Sequence, residues 1–212
     1  MPLESTIKVD KKTTLYIWEV REELAVLEEE TPLTPEQKES YNAISNERAK
    51  KNFLATRLLL TQLGHAPNSL HYNAYGKPFL KGKDFISISH SFDKVVVMIS
   101  NKPVGVDIEK KREKILRIAH KFTQWNYRSA DYSIHNIIQK LTMTWCAKEV
   151  GFKIHNKPTL TLNDVRVKDF FPNDKETDIK IGNTMYKVFF VLIEDFVLGY
   201  CAQGRRRTLR CR

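Results

Sequence analysis

Two-residue periodicity across residues 85–109 is the strongest constraint on what this chain can fold into. Phe85-Ile86-Ser87-Ile88-Ser89 alternates apolar with small polar residues, Val95 to Ile99 is mostly β-branched, and Val104 to Glu109 alternates again. Such spacing puts successive side chains on opposite faces of a strand. His90-Ser91-Phe92-Asp93-Lys94 and Lys102-Pro103 read as turns between the three runs, so the expectation is a meander whose last strand carries Asp107 and Glu109 on one face. Two acids one strand step apart stand roughly 6 to 7 Å from each other at Cα, close enough to share one hard cation. Mg²⁺ is the natural candidate; an edge strand with two solvated acids is the ordinary alternative.

The rest of the chain surrounds this segment with helices and further strands. Thr14 to Val20 reads as an opening strand. Thr34-Pro35-Glu36-Gln37 has a hydroxyl at the N-cap, proline at the first helical position and glutamine three residues after the cap. It predicts a long helix to Leu63 with a break near Asn46, closed by Gly64. Arg48, Lys50, Lys51 and Arg57 crowd its middle, where a solvated basic face is the plain reading. Residues 65–77 read as loop, and Gly76-Lys77-Pro78 leads into a short strand.

After a short helical pattern through Ile115 and Phe122, Ile134, Ile137, Ile138, Leu141 and Trp145 form an apolar stripe at helical spacing. Four residues beyond Trp145 the stripe reaches Glu149, and four more reach Lys153. That pair is either an ordinary exposed ion pair or an inward-facing acid that calls for a nearby cation, since an unpaired buried charge costs several kcal/mol. Residues 159–167, 179–181, 186–193 and 197–202 read as strands. Strand, helix, meander, helices and strands again make the class α+β.

The 212 residues suffice for one ordinary domain or two small subdomains. With 35 Lys and Arg against 25 Asp and Glu the formal charge is +10, which favours anionic partners without choosing among them. Cys146, Cys201 and Cys211 show neither a disulfide framework nor zinc-ligand spacing, and no apolar run is long enough to cross a bilayer. The basic tail from Gly204 to Arg212 reads as a solvated terminus.

Taken together, Gly76-Lys77-Pro78, Ile88-Ser89-His90-Ser91, Pro103-Val104-Gly105-Val106-Asp107-Ile108-Glu109 and Trp145-Cys146-Ala147-Lys148-Glu149-Val150-Gly151-Phe152-Lys153 resemble the phosphopantetheinyl transferase superfamily, its Sfp-like branch most of all. Val150 and Gly151 depart from the family pattern and point to a less stable or differently packed helix there. The resemblance implies two pseudo-symmetric subdomains, 1–103 and 104–212, each a small antiparallel sheet packed on a long helix, with the active site in the cleft between them. It implies transfer of the phosphopantetheine arm of coenzyme A to a serine hydroxyl of an acidic apo acyl or peptidyl carrier protein, with adenosine 3′,5′-bisphosphate released.

By the same resemblance Asp107, Glu109 and Glu149 would hold Mg²⁺, with Glu109 either a ligand or the group that orients a bound water. Glu149, Lys153 and Glu109 would be catalytic, and which carboxylate takes the serine proton stays open. Lys153 would also meet the leaving diphosphate. Lys77, Ser89 and His90 match positions that hold coenzyme A phosphates, and Lys51 and Arg48 are the nearest matches for the 3′-phosphate. A monomer working in the reducing cytoplasm, with no membrane or nucleic-acid partner, is expected. The competing readings are a metal-dependent phosphodiesterase or nuclease, which could use the same acids and lysine, and a non-catalytic basic nucleic-acid-binding protein.

Overall fold

The computed structural model describes residues 3–155, 157 and 159–202; the basic tail 204–212, with Cys211, lies outside the described residues. Contacts divide the chain into residues 1–101 and 102–212, and each unit is taken by itself.

In the first unit the strands are β1 (Leu3–Asp10), β2 (Thr13–Glu19), β3 (Leu70–Tyr72), β4 (Pro78–Leu80), β5 (Phe85–Ser91) and β6 (Lys94–Ser100), and the helices are α1 (Leu24–Glu30), α2 (Pro35–Asn42) and α3 (Glu47–Gln62). An antiparallel sheet runs in the order β1-β2-β6-β5, and β3-β4 is a separate hairpin. β1 has no counterpart in the sequence reading, because only Ile7 and Val9 mark an apolar face along an otherwise exposed strand. β3 falls inside the stretch read as loop. Its hairpin closes on Asn73, whose Oδ1 accepts from the amides of Tyr75 and Lys77 at 2.9 and 3.0 Å.

The long helix is two helices, broken where Asn46 suggests. Thr34 and Gln37 cap the first reciprocally, with Thr34 Oγ1 accepting from the Gln37 amide and Gln37 Oε1 from the Thr34 amide. Asn46 caps the second through its side chain on the Ala49 amide at 3.0 Å. Gly64 follows the end of α3 at φ +86, a backbone setting that glycine takes at no steric cost. One face of α3, with Leu54, Ala55, Leu58 and Leu59, packs on Ile86, Val95 and Val97 of β5 and β6.

The second unit holds β7 (Val104–Lys110), α4 (Lys114–Ile118), α5 (Ile134–His155), β8 (Val165–Val167), β9 (Glu176–Ile181), β10 (Thr184–Ile193) and β11 (Phe196–Ala202). Its antiparallel sheet runs β7-β11-β10-β9-β8. The acidic strand therefore does not complete a meander with β5 and β6. It pairs with β11, Asp107 opposite Gly199 and Glu109 opposite Val197, a partner almost ninety residues away that no local pattern reveals. Residues 162–164 form a 3-10 turn, so the strand read over 159–167 keeps only its last three residues.

α5 also differs from its reading. Ile134 is 58% exposed, while Ile137 and Leu141 pack with Ala119 and Phe122, and Trp145 meets the Phe122 ring edge-on at 5.2 Å. The face on the sheet is a different one, Met143, Cys146, Ala147, Val150 and Ile154. Gly151 accounts for different packing of the helix: it lets α5 approach β8 and β9, since a Cβ there would stand 2.8 Å from Val165 Cγ1 and 2.7 Å from Ile179 Cδ1. Gly105 does the same on β7, where an added Cβ would lie 2.5 Å from the Val150 carbonyl oxygen. The α+β class read from element order stands. Among the described residues no helix is long and apolar enough to cross a membrane.

Candidate functional site

The seam between β7 and α5 carries the charges. Strand alternation places Gly105, Asp107 and Glu109 on one face, and the Gly105 contact with Val150 and Ile154 identifies that face as the one under α5. Asp107 is buried to 4% exposure. One helical turn past Glu149, Lys153 reaches down to the strand, its Nζ donating to Asp107 Oδ1 at 2.8 Å and to the Val106 carbonyl at 2.9 Å. The close approach that Gly105 permits brings the ammonium within reach of a backbone carbonyl as well as a carboxylate.

Glu149 is half-buried on the same seam. Burial, and after it the negative charge of Asp107, push its carboxyl above the ordinary value of 4.5, with Lys153 pulling the other way. Cys146, three residues earlier and fully buried, feels both strand acids. Its thiol donates to the Val197 carbonyl at 3.6 Å, and burial followed by the charges of Asp107 and Glu109 drive its pKa well up, so it is an inert packing group beside the site. The sequence places Cys146 inside the Trp145 to Lys153 run but assigns it no role in the site. The signal available was its place directly after Trp145 in the run that ends at Lys153.

Asp107, Glu109, Glu149 and Lys153 thus share one seam. Among the described residues no group of three or more His, Cys, Asp or Glu side chains stands ready as a metal-ligand set, and Asp107 is engaged by Lys153. The donors are nevertheless of the right chemistry for a hard divalent cation: carboxylates gathered in a partly dry place, where burial and the charge of Asp107 raise the Glu149 carboxyl.

The remaining candidates lie in the first unit. Lys77 closes the β3-β4 turn, and burial lowers its pKa. Ser89 is buried and His90 exposed at neighbouring positions of β5, hence on opposite faces of the sheet. Beyond His90 the chain turns through Phe92, whose ring lies under the Arg48 guanidinium at 4.7 Å and whose carbonyl accepts from Asn52 at 3.3 Å. Arg48 and the turn beside His90 therefore meet. Lys51 is occupied instead, within 3.6 Å of Glu47 and 3.8 Å of Glu23. Arg57 departs from the solvated basic face. It is buried, stacked 3.2 Å from the Phe53 ring centre, donates to the Phe53 carbonyl, and has its pKa brought down to about 10 by burial.

No family model matches the chain. The 4′-phosphopantetheinyl transferase gsp of Aneurinibacillus migulanus is 38% identical over 92 residues, which are 42% of this chain and 36% of that protein. The match therefore spans little more than a third of the relative's length. Over that stretch the chain is similar to a protein of the superfamily that its motifs resemble.

Proposed function

We propose that this protein transfers the phosphopantetheine arm of coenzyme A to a serine hydroxyl of an acidic apo carrier protein. The observation that carries the reading is the meeting of Asp107, Glu149 and Lys153 on one seam, where a raised carboxyl stands beside a lysine-bound one. In the reaction the serine oxygen bonds to the phosphorus that bears the pantetheine oxygen. The anhydride bond to the second phosphorus breaks, and its electron pair leaves with adenosine 3′,5′-bisphosphate.

Glu149 takes the serine proton. Its elevated proton affinity suits a base that must work near neutral pH. Lys153, a point charge already held at the strand by Asp107 and the Val106 carbonyl, faces the negative charge that grows on the departing phosphate. Mg²⁺, for which Asp107, Glu109 and Glu149 are the donors, would neutralise the diphosphate when bound. Lys77, His90 and Arg48 are assigned to coenzyme A phosphates. Lys51, already near two carboxylates, is the weaker claimant for the 3′-phosphate. The surplus of positive charge would draw an acidic carrier and make encounter sensitive to salt.

The test is intact-mass measurement of an apo carrier protein after incubation with the full chain, coenzyme A and Mg²⁺. The carrier serine should gain the mass of the arm, and Glu149→Gln should prevent the gain. If no apo carrier of the acyl or peptidyl type gains mass while a labelled oligonucleotide is cut, the phosphodiesterase reading replaces this one.

A further inference from the structure

α5 has a second polar face that the proposed transfer does not use. Lys140, Thr144 and Lys148 recur every four residues along it and line a hollow of about 890 Å³, closed on its other sides by residues 120–125 and 163–170. Its size is that of ordinary small-molecule sites. Both lysines are buried, at 4% and 7% exposure. Lys148 Nζ donates to the carbonyls of Leu162 and Val165 at 2.8 and 2.6 Å, and burial lowers its pKa. Carbonyls are dipoles, so they satisfy two of the ammonium's three donors without neutralising its charge. Lys140 Nζ meets Asp169 at 2.8 Å and lies 4.3 Å from the centre of the Trp125 ring.

A structural account covers those two side chains: Lys148 ties down residues 162–165, and Lys140 pairs with Asp169. It extends to Lys168, which stands 3.9 Å from Asp178, but does not explain why Lys121 and Arg166 line the same hollow. Five cations line it with one carboxylate, Asp169, while Asp178 and the charge of Asp164, which acts on Lys148, lie outside the lining. Like charges gathered around a concave wall, two of them buried and the rest at its rim, focus a positive field into the space between them. Four of the five are lysines, which bind phosphate as point charges, and Arg166 adds a planar fork that fits a phosphate's paired oxygens. Neither Glu149 nor Lys153 lines the hollow, although both stand on the same helix.

We propose that this hollow is a binding site for a small phosphate-type polyanion, of nucleotide size or less. It shares no residue with the transfer site, and its test reads binding and not turnover, so either can fail without the other. The probe is inorganic tripolyphosphate, titrated into the full chain without coenzyme A and followed by calorimetry. Saturable binding is expected, weakened at least tenfold in Arg166→Glu/Lys168→Glu, whose two side chains are exposed and whose fold is checked by circular dichroism. Lys11→Glu/Lys12→Glu makes the same change of net charge at the exposed β1-β2 turn and should leave affinity within about twofold. Equal weakening by the two double variants would reduce the effect to bulk charge and overturn the proposal. So would absence of saturation, or binding that disappears in Lys77→Ala/His90→Ala while surviving the charge reversal at 166 and 168.

Discussion

The two long helices rest on their sheets through seams of different chemistry. In the first unit α3 meets β5 and β6 through Leu54, Ala55 and Leu58 against Ile86, Val95 and Val97, apolar but for Asn52, which donates to the Phe92 carbonyl at the turn between the two strands. In the second, α5 meets its sheet through Met143, Cys146, Val150 and Ile154, but the edge of that seam over β7 holds Asp107, Glu149 and Lys153. An apolar seam gains stability along its whole length. A seam with buried acids gives up part of that gain in desolvation and repulsion, which the Lys153 pair with Asp107 offsets in part. The difference separates a scaffold from a site, and substitutions on the two seams should fail in different ways.

The largest effect belongs to Glu149→Gln. Loss of the base should slow transfer to an apo carrier by about 10² to 10⁴-fold, roughly 3 to 5 kcal/mol of barrier, with the melting temperature held. Leu54→Ala on the other seam should do the reverse. It should lower unfolding free energy by about 2–5 kcal/mol in denaturant titration while the remaining folded molecules keep their turnover rate. If Leu54→Ala alters turnover of folded protein as much as Glu149→Gln does, the contrast is broken.

Lys77→Ala removes a partly buried ammonium assigned to a coenzyme A phosphate, and should raise the KM for coenzyme A by about 10 to 100-fold, the worth of a charge-assisted hydrogen bond, with kcat little changed. Gly105→Ala tests the close approach under the charged seam. The new Cβ meets a backbone oxygen of α5, so a loss of about 1–3 kcal/mol in stability is expected, together with a fall in turnover as Lys153 moves off the strand.

The smallest effect is a pH dependence. The Glu149 carboxyl is raised in the folded chain, first by burial and then by Asp107, so below its ordinary value of 4.5 it is protonated in both states and costs nothing. As pH rises from 4.5 through the folded value, the unfolded chain ionises first and folding loses stability. Glu149→Gln lacks that loss. Urea titrations should therefore show the variant matching the parent below pH 4.5 and exceeding it at about pH 7, and Mg²⁺ should narrow the gap if the acids hold it.

Much of this was legible in the chain itself, for reasons that can be assigned to particular residues. Alternation over 85–109 specifies strands because the pleat has a period of two, and Thr34 through Gln37 specifies a helix start because orphan amides need acceptors. Asp107 and Glu109 share a face for the same reason, and the four-residue step from Trp145 to Glu149 to Lys153 puts those charges on one stripe. Local rules decide all of these. Only the tertiary structure decided that β7 pairs with the distant β11, that α5 turns Met143 through Ile154 to the sheet while Ile134 is left in solvent, and that Gly151 serves packing. It also decided that Lys140 and Lys148 are buried around a basic hollow. A helix with apolar residues on more than one face carries no record of which face finds the sheet, because that choice depends on partners far along the chain.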